Sequence, residues 1–227
     1  MADKIYLGFD FSMNKPAMTI WYNGHFYFYI WPLDMKDDKV QLYKTANVDV
    51  VPRGLGSVSL KDMSSSQMTL EHTKRSTELA ETILESIVEF FKANNVSSSV
   101  EMFVSSEGLS FGSKGDSTLN LATYKGVFLS ALWKKFKSNI KVLATYAPIS
   151  IKSVAGCVRK AEMNDKNKMI DAFMKETFDF TCPFSDALKD GRLLKPKAKT
   201  VSYIECADDI VDSYFALKTM LVKEKLI

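Results

Sequence analysis

The chain has 227 residues, 46% of them apolar and 25% charged, with a formal net charge of +3. That is enough to bury a substantial core in one large domain, or one domain with insertions. No run of about 18 apolar residues is present to span a bilayer. The N-terminus turns at once into a predicted strand, which leaves no room for a signal peptide. Cys157, Cys182 and Cys206 are odd in number and widely spaced, and His25 and His72 add no ligand cluster. They make neither a zinc pattern nor a disulfide framework, so buried free thiols in a reducing cytoplasm are expected.

Lys4 to Ser12 opens the pattern. Ile5, Leu7 and Phe9 alternate with Tyr6, Gly8 and Asp10, the period of two that predicts a strand. A strand apolar on nearly both faces belongs mid-sheet, where an unsatisfied aspartate costs several kcal/mol. Asp10, at its carboxyl end, is therefore either a turn cap or a metal ligand awaiting partner carboxylates. Ala17 to Tyr22 and His25 to Trp31 flank Asn23-Gly24, a strong hairpin signal.

Residues 34–67 hold a segment near Val48 to Val51 compatible with a strand, then Pro52, Gly54, Gly56 and serines at 64–66. They read as a connection or insertion. A long helix comes next, to about Asn94, with Leu79, Ile83, Ile87 and Phe90 on one stripe, widened by Leu84, Val88 and Phe91. Val100 to Ser106 predicts a strand ending at Glu107, then a glycine-containing loop and a helix over 117–136. Ile140 to Thr145 predicts another strand and Ile149 to Val154 a short helix. Helices over 165–178 and 206–223 enclose a second insertion at 182–205. The order β-β-β-α-β-α-β-α-α predicts an α/β layer fold, an antiparallel meander continued by parallel strands.

Between Lys114 and Lys175, twelve Lys and Arg stand against four Asp and Glu, a net of +8, so the rest of the chain is acidic. A basic middle beside clustered acids suits a polyanion, although Lys134, Lys135 and Lys137 read as a solvated helix back. If the first and fourth strands pair in parallel, Asp10 and Glu107 share one sheet edge. Asp209 and Asp212, three apart, share a face of the last helix, from which Asp208 points away. Asp208 and Asp209 also suit a helix N-terminus for its dipole alone. Four carboxylates meeting at one edge repel unless cations lie between them, and hard oxygen donors suit Mg²⁺ or Mn²⁺.

Gly-Phe-Asp-Phe-Ser (8–12), Ser-Glu-Gly-Leu-Ser-Phe-Gly (106–112) and Asp-Asp-Ile-Val-Asp-Ser-Tyr-Phe-Ala-Leu (208–217) resemble the RuvC-type Holliday junction resolvases of the ribonuclease H-like nuclease superfamily. Residues 117–127 and 146–156 resemble the family's second helix and the segment after its fifth strand. The resemblance implies a five-stranded mixed sheet, three strands antiparallel and two parallel, flanked by helices. It also implies Asp10, Glu107, Asp209 and Asp212 as a catalytic tetrad holding two Mg²⁺ ions, with Mn²⁺ as a substitute. Phosphate contacts are implied at Lys152 and Lys166, with Lys160 and Lys168 close by; Lys114 and Arg159 are further candidates for DNA contact. Phe111, four residues after Glu107, either wedges into the junction or covers the sheet edge.

The activity implied is symmetric nicking of four-way DNA junctions by a homodimer, for which the helix over 67–94 offers a surface unless its stripe packs internally. A ribonuclease H-fold nuclease for other branched, flapped or nicked nucleic acid shares every one of these features. A non-catalytic DNA-binding scaffold is a further alternative, which the intact tetrad opposes. An actin-like or sugar-kinase domain would need a later glycine that Gly8 to Lys15 lacks.

Overall fold

The computed structural model describes residues 3–53, 63–108, 116–158, 166–195 and 201–226. Its centre is β1 (Lys4–Asp10), whose Ile5, Leu7 and Phe9 are almost wholly buried. β2 (Ala17–Tyr22) pairs antiparallel with β1, with Asp10 opposite Ala17, and β3 (His25–Ile30) pairs antiparallel with β2. Asn23 and Gly24 turn the hairpin at φ of 50° and 82°, the left-handed pair that a tight two-residue turn demands. β5 (Glu101–Glu107) lies parallel to β1 on the other side, and β6 (Ile140–Tyr146) parallel to β5.

To the five expected strands the structure adds a sixth, β4 (Val48–Val50), parallel to β3, giving the order β4-β3-β2-β1-β5-β6. The residues read as a connection or insertion, with a strand-compatible segment near Val48 to Val51, also contain α1 (Asp37–Thr45). Its apolar content is too thin for periodicity to reveal. What holds it is the burial of Tyr43, with Asp37 and Asp38 in the first turn and Lys44 in the last complementing the helix dipole.

Helices cover both faces. α2 (Ser65–Ala93) and α3 (Asp116–Phe136) pack on the face carrying Ile5, Leu7 and Phe9. α2 starts in a capping box between Ser64 and Gln67, and its stripe of Leu79, Ile83, Ile87 and Phe90 is consumed in that intramolecular core. α4 (Pro148–Val154), α5 (Lys166–Met174), α6 (Pro183–Lys189) and α7 (Ala207–Lys223) gather around the second core. α6 replaces part of the loop expected at 182–205: Pro183 begins it, where proline's missing N–H costs nothing, and Phe184, Ala187 and Leu188 are buried. α5 stops at Met174, short of the expected Phe178, which packs with Phe180 against the second core.

One residue decides how close α7 comes. A Cβ on Gly8 would lie 2.3 Å from the Ser213 carbonyl oxygen and 2.6 Å from the Leu217 amide. Glycine in mid-strand therefore lets the helix backbone rest on the strand. Thr19, the partner of Gly8 on β2, is hydrogen-bonded through its hydroxyl to that of Ser213 at 2.7 Å in the buried interface. Among the described residues no helix is long and apolar enough to cross a membrane.

Candidate functional site

Three elements deliver carboxylates to one place. Asp10 ends β1 and Glu107 ends the parallel neighbour β5, with the register Phe9 to Ser106 setting their ends level. α7 crosses Gly8 and brings Asp209, in its first turn, and Asp212 over the same edge. Burial pushes the Asp10 carboxyl well above the usual carboxylate range, and the charges of Asp212, Asp209 and Glu107 raise it further. A hydrogen bond with Asp209 acts in the same direction. Asp208, as its helical position predicts, is absent from this set and acts instead on Tyr43 and Cys206.

The cluster has a cation of its own that sequence reading counts only among the basic charges. The Lys125 ammonium, on α3, donates to the Glu107 carbonyl oxygen at 2.6 Å. Its side chain is buried, and burial lowers its pKa to about 8 while Glu107 and Asp10 pull it back up, so it is charged at neutral pH. A signal existed: Lys125 lies three residues before Phe128 and seven before Leu132, both buried, so it occupies the apolar stripe of its helix.

The donors suit a hard divalent cation. They are all carboxylate oxygens, and bound positive charge would offset the repulsion that raises the Asp10 carboxyl. Among the described residues, no group of three or more His, Cys, Asp or Glu side chains is placed so that it could hold a metal ion as it stands.

The remaining candidates separate. Lys152 lies in the last turn of α4. Lys168 is exposed on α5 and pairs at 3.4 Å with Asp171, a surface contact of little weight. Lys166 starts α5, but its side chain is outside the described residues. Phe111, Lys114, Arg159 and Lys160 also lie outside them. A polar cavity of about 470 Å³ opens beside the cluster, lined by Asp209, Asp208, Glu205, Lys15, Asn167 and Lys195 among others.

The class so defined is an α/β protein with a six-stranded mixed sheet and acidic side chains gathered at the carboxyl ends of its two central parallel strands. No protein-family model and no curated protein matches the chain. Among solved structures it is similar to Thermus thermophilus RuvC, with a TM-score of 0.47, 11% identity, and coverage of 97% of this chain and 96% of that one. It is similar also to the yeast mitochondrial Holliday junction resolvase Ydc2, with a TM-score of 0.40, 12% identity, and coverage of 97% and 78%. T. thermophilus RuvC in complex with a Holliday junction substrate is similar at 0.32 and 13%, with coverage of 95% and 96%.

Proposed function

We propose that this protein is a divalent-metal-dependent endonuclease that resolves four-way DNA junctions, cutting as a homodimer. The observation that carries the reading is the convergence of Asp10, Glu107, Asp209 and Asp212 at one sheet edge, where burial and the charges of the other three raise the Asp10 carboxyl above its ordinary range. The motifs around those residues, with their resemblance to junction resolvases, direct the choice of substrate.

Asp10, Glu107, Asp209 and Asp212 are the residues that would hold Mg²⁺ or Mn²⁺. When bound, such ions polarise the phosphoryl oxygens and make water acidic enough to attack at neutral pH. Hydrolysis inserts one water across one P–O bond, and the alkoxide that leaves takes up a proton. Asp10, central among the four and partly buried, would orient the attacking side of the phosphate. Lys125 fixes the end of β5 through the Glu107 carbonyl and sets a positive charge close to the phosphate path. Lys152, Lys166 and Lys168, with Lys114, Arg159 and Lys160, would neutralise phosphates of the arms. Two-fold symmetry of the substrate calls for two sites related the same way.

The test is incubation of end-labelled four-way junction, flap and plain duplex with the protein in Mg²⁺, beside Asp10→Asn. Paired symmetric nicks in the junction, absent with Asp10→Asn, are expected. Equal cutting of flap or duplex would retain the nuclease and remove junction selectivity. No metal-dependent cutting of any substrate would overturn the reading.

A further inference from the structure

The short connection between the second core and α7 is gripped from two distant parts of the chain. The Glu205 carboxylate accepts from the Lys15 ammonium at 2.7 Å through one oxygen and from the Lys39 ammonium at 2.6 Å through the other. Its backbone carbonyl accepts a short hydrogen bond from the Tyr43 hydroxyl. Lys15 belongs to the β1–β2 loop that leads on from Asp10, and Lys39 and Tyr43 belong to α1. Arg53, after β4, donates to the Met13 and Asn14 carbonyls at 2.8 and 3.1 Å, tying the same segment to the same loop.

The neighbour of Glu205 on its carboxyl side explains why a grip is needed there. Cys206 precedes the first turn of α7 with φ at 73°, the left-handed region that side chains other than glycine rarely adopt, and no side chain caps the helix. The helix that carries Asp209 and Asp212 thus starts from a strained, uncapped residue, and strain of this kind persists only where surrounding contacts over-determine it. Those contacts lie against the acidic cluster itself: the charge of Asp209 is felt at both Lys15 and Tyr43.

We propose that Glu205 is a positioning residue, and that residues 37–53 serve as a brace which sets the first turn of α7, and with it Asp209 and Asp212, against Asp10. The brace acts at a distance, as outer partners do that orient metal ligands without touching the metal. It assigns a role to a segment whose sequence reveals none, and it rests on the nuclease reading only for what the cluster holds.

Glu205→Gln, Lys39→Met and the milder Tyr43→Phe, which deletes one oxygen, are compared with wild type in two measurements on the full chain. The first is amide hydrogen exchange without metal. The second is Mn²⁺ titration by calorimetry. Exchange at residues 207–212 rises about tenfold in Glu205→Gln and by a smaller factor in Tyr43→Phe, while β5 and the last turns of α7 keep their protection. Mn²⁺ affinity falls by about 10-fold in Glu205→Gln, the lower end of what outer-partner substitutions cost.

Unchanged exchange at 207–212 in all three variants overturns the proposal. So does faster exchange with wild-type Mn²⁺ affinity, since the grip would then hold a helix without positioning its carboxylates. Faster local exchange in a protein whose wild type binds no Mn²⁺ keeps the brace and sinks the metal reading instead.

Discussion

Asp10 is the residue whose environment and proposed task pull in opposite directions. Buried among Asp212, Asp209 and Glu107, its carboxyl holds a proton to a pH well above the 3.8 of a free aspartate. Below 3.8 the folded and unfolded states are both protonated there, and the site adds nothing. As pH rises, the unfolded chain releases the proton first while the folded one keeps it, so stability falls until the raised folded pKa is passed. The loss is complete above that value. Asp10→Asn removes this cost and keeps the shape, so in EDTA at pH 7.5 the variant melts higher than wild type. About 1 kcal/mol corresponds to ~2–4 °C in a chain of this size, and the gap closes toward pH 4. Calorimetric scans across that range, beside loss of nicking, check both halves; a variant that melts lower in EDTA at pH 7.5 contradicts the crowding of charge described here. A residue that destabilises the fold where the proposed chemistry needs it is the usual trade between stability and activity.

At the scale of elements, the contact of β1 with α7 decides whether the cluster exists. Gly8→Ala would set a methyl group against the Ser213 carbonyl and the Leu217 amide, both backbone atoms that cannot rotate away. Overpacking of this kind costs about 3 kcal/mol, or on the order of 10 °C in Tm. Helix and strand would separate just where Asp10 faces Asp212. Thermal unfolding and Mn²⁺ affinity should therefore fall together, and a variant of wild-type stability would show that α7 does not lie where the structure puts it.

The strands flanking this contact were legible, because alternation in β1 and Asn23-Gly24 in the hairpin are written in local pattern, whereas the parallel pairing of β1 with β5 spans some 97 residues and entered only as a condition. The placement of the four acids was legible too, Asp10 and Glu107 at strand ends and Asp209 and Asp212 on one face of the last helix. α1 and the grip on Glu205 were not legible. Lys15, Lys39 and Tyr43 lie between 162 and 190 residues from Glu205, and ion pairs formed across such separations leave no periodicity. Lys125 falls between: its misplaced charge on an apolar stripe was visible, but its partner, a backbone carbonyl, was not.

For the whole molecule the governing feature is charge asymmetry, a net of +8 over residues 114–175 in a chain of only +3. The acids sit at the sheet edge, while the basic segment supplies α3, α4 and α5 around it. If that segment neutralises DNA phosphates, affinity for a four-way junction falls linearly in a plot of log K against log salt. Each phosphate contact contributes about 0.9 to the slope through release of counterions. Lys152→Gln and Lys168→Gln combined, in an Asp10→Asn background chosen to leave DNA intact, should reduce the slope by about 2. Lys168→Gln alone changes Tm little, because Lys168 is exposed, with a weak surface partner in Asp171. Fluorescence anisotropy of a labelled junction between about 50 and 200 mM salt reads this directly. An unchanged slope would remove both lysines from the DNA path and shift that role to the basic residues at 114 and 159–160. A reduced slope for junction and duplex alike would make the two lysines general phosphate contacts, and selection of the branch point would then fall to other residues.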